Sequence, residues 1–242
     1  MFCRIPPQSP PELSADQRRH TLWRLFWVFL PASCLGCLTE TLFMLLTTGQ
    51  LQNRSGVLYG PFSLVWGLGA VLFTVLLHRL DGRRGCLFCA GTLLGACFEY
   101  ACSWLQEVLF GACFWDYSHL PFHINGRVNL LFSTFWGLAA VVWAEALCPR
   151  LCGWIGRIPE RTGRPLTAAL AALMLCNVLL SAAALVRMDR RQRDVPAVTA
   201  VERFLDRVYP DQVLQRTFSN LTYIGTDAAR AAAGMRKPAD IP

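Results

Sequence analysis

Glu40, Glu99 and Glu107 are the residues of this 242-residue chain best placed to do chemistry, because each stands inside an apolar run. A charge near the middle of a bilayer costs about 2.5 to 3.5 kcal/mol on insertion scales, so it needs a partner, a proton or water. Glu99, Ser103 and Glu107 are spaced by four, which puts them in one polar stripe on one face of a helix. Lipid cannot solvate that stripe. It must face a bundle interior, where Glu40 is expected to join it, and its chemistry would be the binding of a cation or the exchange of a proton. Arg127, at the head of the next apolar run, is the expected counter-charge.

Arg127 ends an unusual segment that starts with Trp115, Asp116, Tyr117 and Ser118 and runs through His119, Leu120, Pro121, Phe122, His123, Ile124, Asn125 and Gly126. Trp115 and Tyr117 suit a membrane interface, with an apolar ring and a polar edge. Asp116, Ser118 and Asn125 can satisfy backbone groups in a turn, and Gly126 permits a backbone geometry closed to other residues. The segment is too polar for lipid and too aromatic for a solvated loop. It reads as a structured cap or re-entrant plug on the outer face, held by Arg127 and a carboxylate; an ordinary interfacial loop with a salt bridge is the alternative. His119 and His123 lie four apart near Asp116, a spacing a metal or acid-base site could use, but Pro121 between them opposes a regular helix. No HEXXH or GxSxG pattern occurs. No metal, no cofactor and no enzymatic activity are expected.

A second glycine-aromatic segment holds Asn53, Arg54, Gly56, Tyr59, Gly60, Pro61 and Phe62, followed by Trp66, Gly67 and Gly69. Gly67 and Gly69 suit close helix approach. Gly56, Tyr59, Gly60 and Pro61 are assigned to the same packing role, pinning the start of the next span.

These residues need helices that cross a membrane. The composition is 54% hydrophobic and 16% charged, with mean hydropathy +0.36, against about 25% charged in ordinary soluble domains. That excludes a soluble globular enzyme, a disordered chain and a disulfide-stapled module. Apolar runs at 25–47, 62–78, 86–110, 128–147 and 166–186 predict an all-α polytopic membrane bundle of about five transmembrane helices over residues 21–187. Residues 1–20 read as a disordered cytoplasmic lead, and residues 188–242 as a polar tail, disordered from 225. In that tail Val198, Val201, Leu205 and Val208 recur at helical spacing, predicting a short amphipathic helix over 198–209 for an interface, a partner groove or the protein's own loops.

The net charge of +7 comes from arginines beside the apolar runs, where they read as topology signals rather than nucleic-acid contacts. With the amino terminus in the cytoplasm, Arg4, Arg18, Arg19, Arg24, Arg79, Arg83, Arg84, Arg150, Arg157, Arg161 and Arg164 fall inside, and only Arg54 and Arg127 fall in outer loops. The tail conflicts, since Arg187, Arg190, Arg191 and Arg193 follow a fifth span directly. Its side stays open. The CxxC pairs Cys34/Cys37 and Cys86/Cys89 lie in or beside apolar runs and read as small apolar residues, with zinc or redox work as the weaker alternative.

The pattern Gly36-x-x-x-Glu40, Asn53-Arg54-x-Gly56, Tyr59-Gly60-Pro61-Phe62 and Gly67-x-Gly69 continues in Glu99-x-x-x-Ser103-x-x-x-Glu107 and Phe110. Trp115-Asp116-Tyr117-Ser118, Pro121-Phe122, Asn125-Gly126-Arg127, Ser133 and Trp136-Gly137 follow. Over residues 34–140 this resembles the ABC-transporter permease family called CmpB, or type IV. His123 departs from it, standing where the family more usually has Asn. The resemblance implies a permease subunit in the cell membrane. A P-loop needs a Gly-Lys-Ser/Thr run, and the only lysine is Lys237, so any ATPase would be a separate polypeptide meeting the 79–85 and 148–165 loops. A membrane scaffold or sensor, its buried ion pairs purely structural, is the alternative function, and a membrane-embedded enzyme is the weaker third.

Overall fold

The computed structural model describes residues 15–80 and 82–223. Helix α1 (Ala15–Thr48) carries Pro31 within it and is followed by α2 (Leu64–Leu76) and a 3-10 turn at His78–Leu80. Helix α3 (Arg84–Phe110) leads into the two-residue strands β1 (Ala112–Cys113), β2 (His123–Ile124) and β3 (Val128–Asn129). Helix α4 (Leu130–Val142), a π-helical stretch at Trp143–Leu147 and α5 (Cys148–Ile155) run on without a break. Then come α6 (Glu160–Gln192), α7 (Ala200–Val208), α8 (Asp211–Thr217) and β4 (Thr222–Tyr223).

Four of these stretches are long and apolar enough to cross a membrane: Leu22–Thr48, Arg84–Phe110, Leu130–Ile155 and Arg161–Gln192. The span expected at 62–78 is shorter. Helix α2 has 13 residues, about 20 Å at 1.5 Å per residue, against a hydrocarbon core of about 30 Å. It starts level with the middle of α1, where the Ser63 N–H donates to the Ser33 carbonyl at 2.9 Å. The chain between Thr48 and Ser63 returns to that level without helix, and Gly60 turns it at φ +84°, a conformation glycine tolerates best.

Two further boundaries differ from expectation. The span predicted over 128–147 continues to Ile155, because Pro149 sits at the start of α5, where the missing N–H costs least. The predicted 148–165 loop therefore shrinks to a turn at residues 156–159. Residues 15–20, assigned to the disordered lead, are already helical; the rest of that lead and residues 224–242 lie outside the described residues.

Close approach between helices depends on small residues. A Cβ on Gly95 would collide with the Trp136 side chain of α4, and one on Gly91 with Ala140. Gly36 similarly admits Trp66, and Gly67 admits Phe29 and Ser33. The passes alternate between two ends of the bundle. At one end Trp23, Leu80 and Ile155 join a single apolar cluster. At the other, β1 pairs with β4, the Ser219 hydroxyl donates to the Asn53 carbonyl at 2.8 Å, and the Asn220 amide donates to the Phe114 carbonyl at 2.9 Å. The stretch after α6 thus caps the same end as the 49–63 and 111–129 segments. Its apolar face, Leu205, Tyr209, Leu214 and Phe218, packs with Ala184, Leu185, Met188 and Phe114.

Candidate functional site: a carboxylate-lined interior under two plugs

Glu99 is 6% exposed and Ser103 is 2% exposed, both on the inner face of α3. The Tyr117 hydroxyl donates to one Glu99 oxygen at 2.9 Å, and the Trp136 indole N–H donates to the other at 3.2 Å. Both donors are neutral, and no cationic side chain among the described residues pairs with Glu99. Glu40 is built the same way from the α1 side: the Trp66 indole N–H donates to it at 2.6 Å, and the Arg54 guanidinium stands 3.6 Å from its other oxygen. The rings of Trp66 and Trp136 lie against each other, 5.5 Å between centroids and tilted by 33°. Two carboxylates are therefore tied by indole N–H bonds to an adjacent pair of tryptophans.

Glu107 lies nearer the end of α3, in an ion pair with Arg127. Arg127 also reaches the Ser103 hydroxyl at 3.5 Å and lies over the Tyr100 ring, 5.6 Å from its centroid, within the range of a cation–π contact. The expected single stripe held by one guanidinium is thus divided. Arg127 takes Glu107, Arg54 takes Glu40, and Glu99 has neutral donors.

The segment after α3 folds back over the end of the helix that carries Glu99, Ser103 and Glu107. Tyr117 dips to Glu99 with its ring stacked on Phe132 at 4.6 Å. Trp115 donates its indole N–H to the Arg127 carbonyl at 2.9 Å, and the Asn125 amide donates to the Tyr100 hydroxyl at 3.0 Å. Asp116 accepts from the Ser118 backbone N–H and hydroxyl, each at 2.9 Å. The backbone bond from Ser118, followed by its hydroxyl and the nearby imidazoles of His119 and His123, holds the Asp116 carboxyl below its usual range. Gly126, at φ +68°, fits where a side chain would strike Asp116. His123 accepts through Nδ1 from the Gly126 N–H at 3.1 Å, and among the described residues no group of three or more metal-ligating side chains forms.

The 53–62 segment, which holds Gly56, Tyr59, Gly60 and Pro61, is not helical and lies against α6. Only Gly67 and Gly69 lie on a helix, facing α1 and Trp136 respectively. Several of the segment's backbone groups are bonded to other parts of the protein, the way non-helical backbone inside a membrane protein is satisfied. The Leu58 N–H donates to the Ser181 hydroxyl at 2.9 Å and the Tyr59 N–H to the Asn177 side-chain oxygen at 3.2 Å. The Asn177 amide donates back to the Tyr59 carbonyl at 2.7 Å. The buried Ser55 hydroxyl, 2.8 Å from the carbonyls of both Val57 and Gly60, closes the turn, and the Tyr59 and Tyr209 hydroxyls meet at 2.8 Å.

Reasoning from sequence missed Arg54, Tyr117, Trp66 and Trp136 as partners of the acids, and Tyr100 as a partner of Arg127. Trp66 and Trp136 carried one usable signal, since an indole in an apolar run brings a donor that needs an acceptor when buried.

No curated protein and no solved structure matches the chain. One family model, described as "Putative ABC-transporter type IV", matches residues 27–182. That stretch is more than half of the chain and contains the 53–62 and 111–129 segments and all three interior carboxylates; with four helices able to cross a bilayer, it makes this chain a membrane protein of the CmpB, or type IV, ABC-transporter family.

Proposed function

We propose that this chain is a permease-like transport subunit whose acidic interior handles a cation or a proton, and that ATP hydrolysis comes from a separate polypeptide. The observation that carries the reading is Glu99, 6% exposed and held by two neutral donors. A carboxylate in that position is costly and is a functional candidate by default. In the arrangement described, Tyr117 closes the site from above. Lifting the segment that carries it would break the Tyr117 bond and open one Glu99 oxygen to an ion or to water. Glu40, with Arg54 and Trp66, would form the second station, and Arg127 with Glu107 the latch. No residue is assigned a catalytic role.

The same reading places the amino terminus in the cytoplasm. The tail arginines that opposed this topology are matched by acids: Arg187 and Arg191 with Asp206, Arg190 with Glu202, Arg191 with Asp211, and Arg193 with Asp189. Pairing with acids does not take these arginines out of the bias, but the first helix usually dominates orientation, and Arg24 at its start with Arg79, Arg83 and Arg84 in the next inner turn favour the cytoplasmic amino terminus. The 3-10 turn at His78–Leu80 and the turn at 156–159 would then face the ATPase.

A scaffold role is favoured by one feature, the dense bonding around Arg127. One experiment separates the two readings. Full-length protein is purified in mild detergent with any ATPase it retains, and reconstituted into vesicles holding a pH-sensitive dye. Glu99→Gln is expected to abolish most of the proton flux seen with the parent while melting as the parent does. Unchanged flux would refute the transport role of Glu99. Loss of folding in Glu99→Gln would support the scaffold.

A further inference from the structure

The family match ends at residue 182, and beyond it the chain folds α7 and α8 back against the last turns of α6. Helix α7 is built for two neighbours at once. Leu205 is buried with Ala184, Leu185 and Met188, while Glu202 and Asp206 are taken by Arg190, Arg187 and Arg191. Thr199 and Glu202 close a capping box at its start, so the helix is well formed in this place. The side turned away from α6 is also apolar. Val198, Val201 and Phe204 are 75%, 66% and 54% exposed, and Val208 is exposed as well. At about 100° per residue, Val201, Phe204 and Val208 fall within a strip of roughly 60°. Arg203 and Arg207, both exposed, lie along its flank.

What covers that strip follows from where it sits. Leu173, Leu180 and Arg187 recur every seven residues and share one face of α6. Arg187 holds α7 at the top of that face, and lower down the same face Leu173 is exposed on a membrane-crossing helix. Between them Leu180 packs into the cluster of α7 and α8, so the strip stands at the level where the exposed part of α6 gives way to the C-terminal unit. An apolar edge flanked by arginines, at the level where a spanning helix ends, matches a helix lying in the headgroup region with its apolar side in the acyl boundary. The flanking arginines complement lipid phosphate.

We propose that α7 is an interfacial membrane helix, with Val198, Val201, Phe204 and Val208 sunk into the leaflet on the side of the 49–63 and 111–129 segments and Arg203 and Arg207 against phospholipid headgroups. The partner is the bilayer itself, and the proposal stands independently of what the interior carries. To test it, Phe204→benzoylphenylalanine is introduced into the full-length chain. The protein is embedded in nanodiscs of phosphatidylethanolamine with phosphatidylglycerol, irradiated and weighed intact. The expected result is an adduct one phospholipid heavier than the parent. An adduct with a second copy or with the nanodisc belt protein, or no adduct, would overturn the proposal. Val201→benzoylphenylalanine, at the more exposed neighbouring position, reads the same surface if the first variant folds poorly.

Discussion

Arg127 binds three groups of α3 at once, the Glu107 carboxylate, the Ser103 hydroxyl and the Tyr100 ring, while its own carbonyl accepts from Trp115. Arg127→Ala leaves Glu107 without its cation and unpins the segment after α3. Breaking a buried pair costs about 3 to 5 kcal/mol; with Glu107 34% exposed the expected loss is roughly 2 to 4 kcal/mol. Thermal melting in detergent checks this, and Arg127→Ala combined with Glu107→Gln should recover part of the loss, because the stranded charge is gone. The four-residue spacing of Glu99, Ser103 and Glu107 was readable without coordinates, as was the need for a cation near them. The division of the acids between two arginines and two indoles was not. Trp66 and Trp136 count as apolar in any hydropathy pattern, and Arg54 is separated from Glu40 by a change of chain direction.

The contact between α3 and α4 is made by missing side chains. Trp136 fills the space a side chain at position 95 would need, and the same indole reaches Glu99. Gly95→Val is therefore expected to do two things: push α4 away, costing about 1 to 3 kcal/mol or more as overpacking, and pull the Trp136 N–H off Glu99. Loss of thermal stability together with a red-shifted tryptophan emission would report both, and an unchanged melt would show that α3 and α4 are not so close. The long helices were legible because runs of 20 or so apolar residues have few other solutions. Helix α7 was legible from Val198, Val201, Leu205 and Val208. Helix α8, at seven residues, is too short to leave a period, and nothing local marks the π-helical stretch at Trp143–Leu147. The start of α2 was legible too, since the run expected from 62 begins as helix at Leu64; what the hydropathy pattern did not show is that its 13 residues fall short of a bilayer crossing.

For the molecule as a whole, the C-terminal unit joins the 49–63 and 111–129 segments and the top of α6 through ions as well as apolar contacts. Glu202 is held down to about 2 by the backbone N–H groups of Thr199 and Val198. Asp206 is lowered by Arg187 first and Arg191 second. Carboxyls depressed in the folded state contribute stability above their ordinary values, near 4.5 for Glu202, and lose it as pH falls toward those folded values. The unit should stay docked at pH 5 to 7 and loosen between about pH 4.5 and 2. Hydrogen exchange over residues 200–218, corrected for the intrinsic effect of pH, checks this; protection that persists at pH 2 would show that the apolar contacts alone hold it.

Helix α2 and its non-helical extension leave this membrane protein with one half-rod among full-length rods. A continuous helix can only tilt or slide as a unit, because its hydrogen bonds run internally from end to end. The stretch from Arg54 to Phe62 instead hangs from separate rungs on Ser181, Asn177 and Tyr209, each of which can let go while the others hold. That stretch lies beside Glu40, with Arg54 3.6 Å from its carboxylate, so a release of these rungs would uncover the acid without displacing the long helices around it.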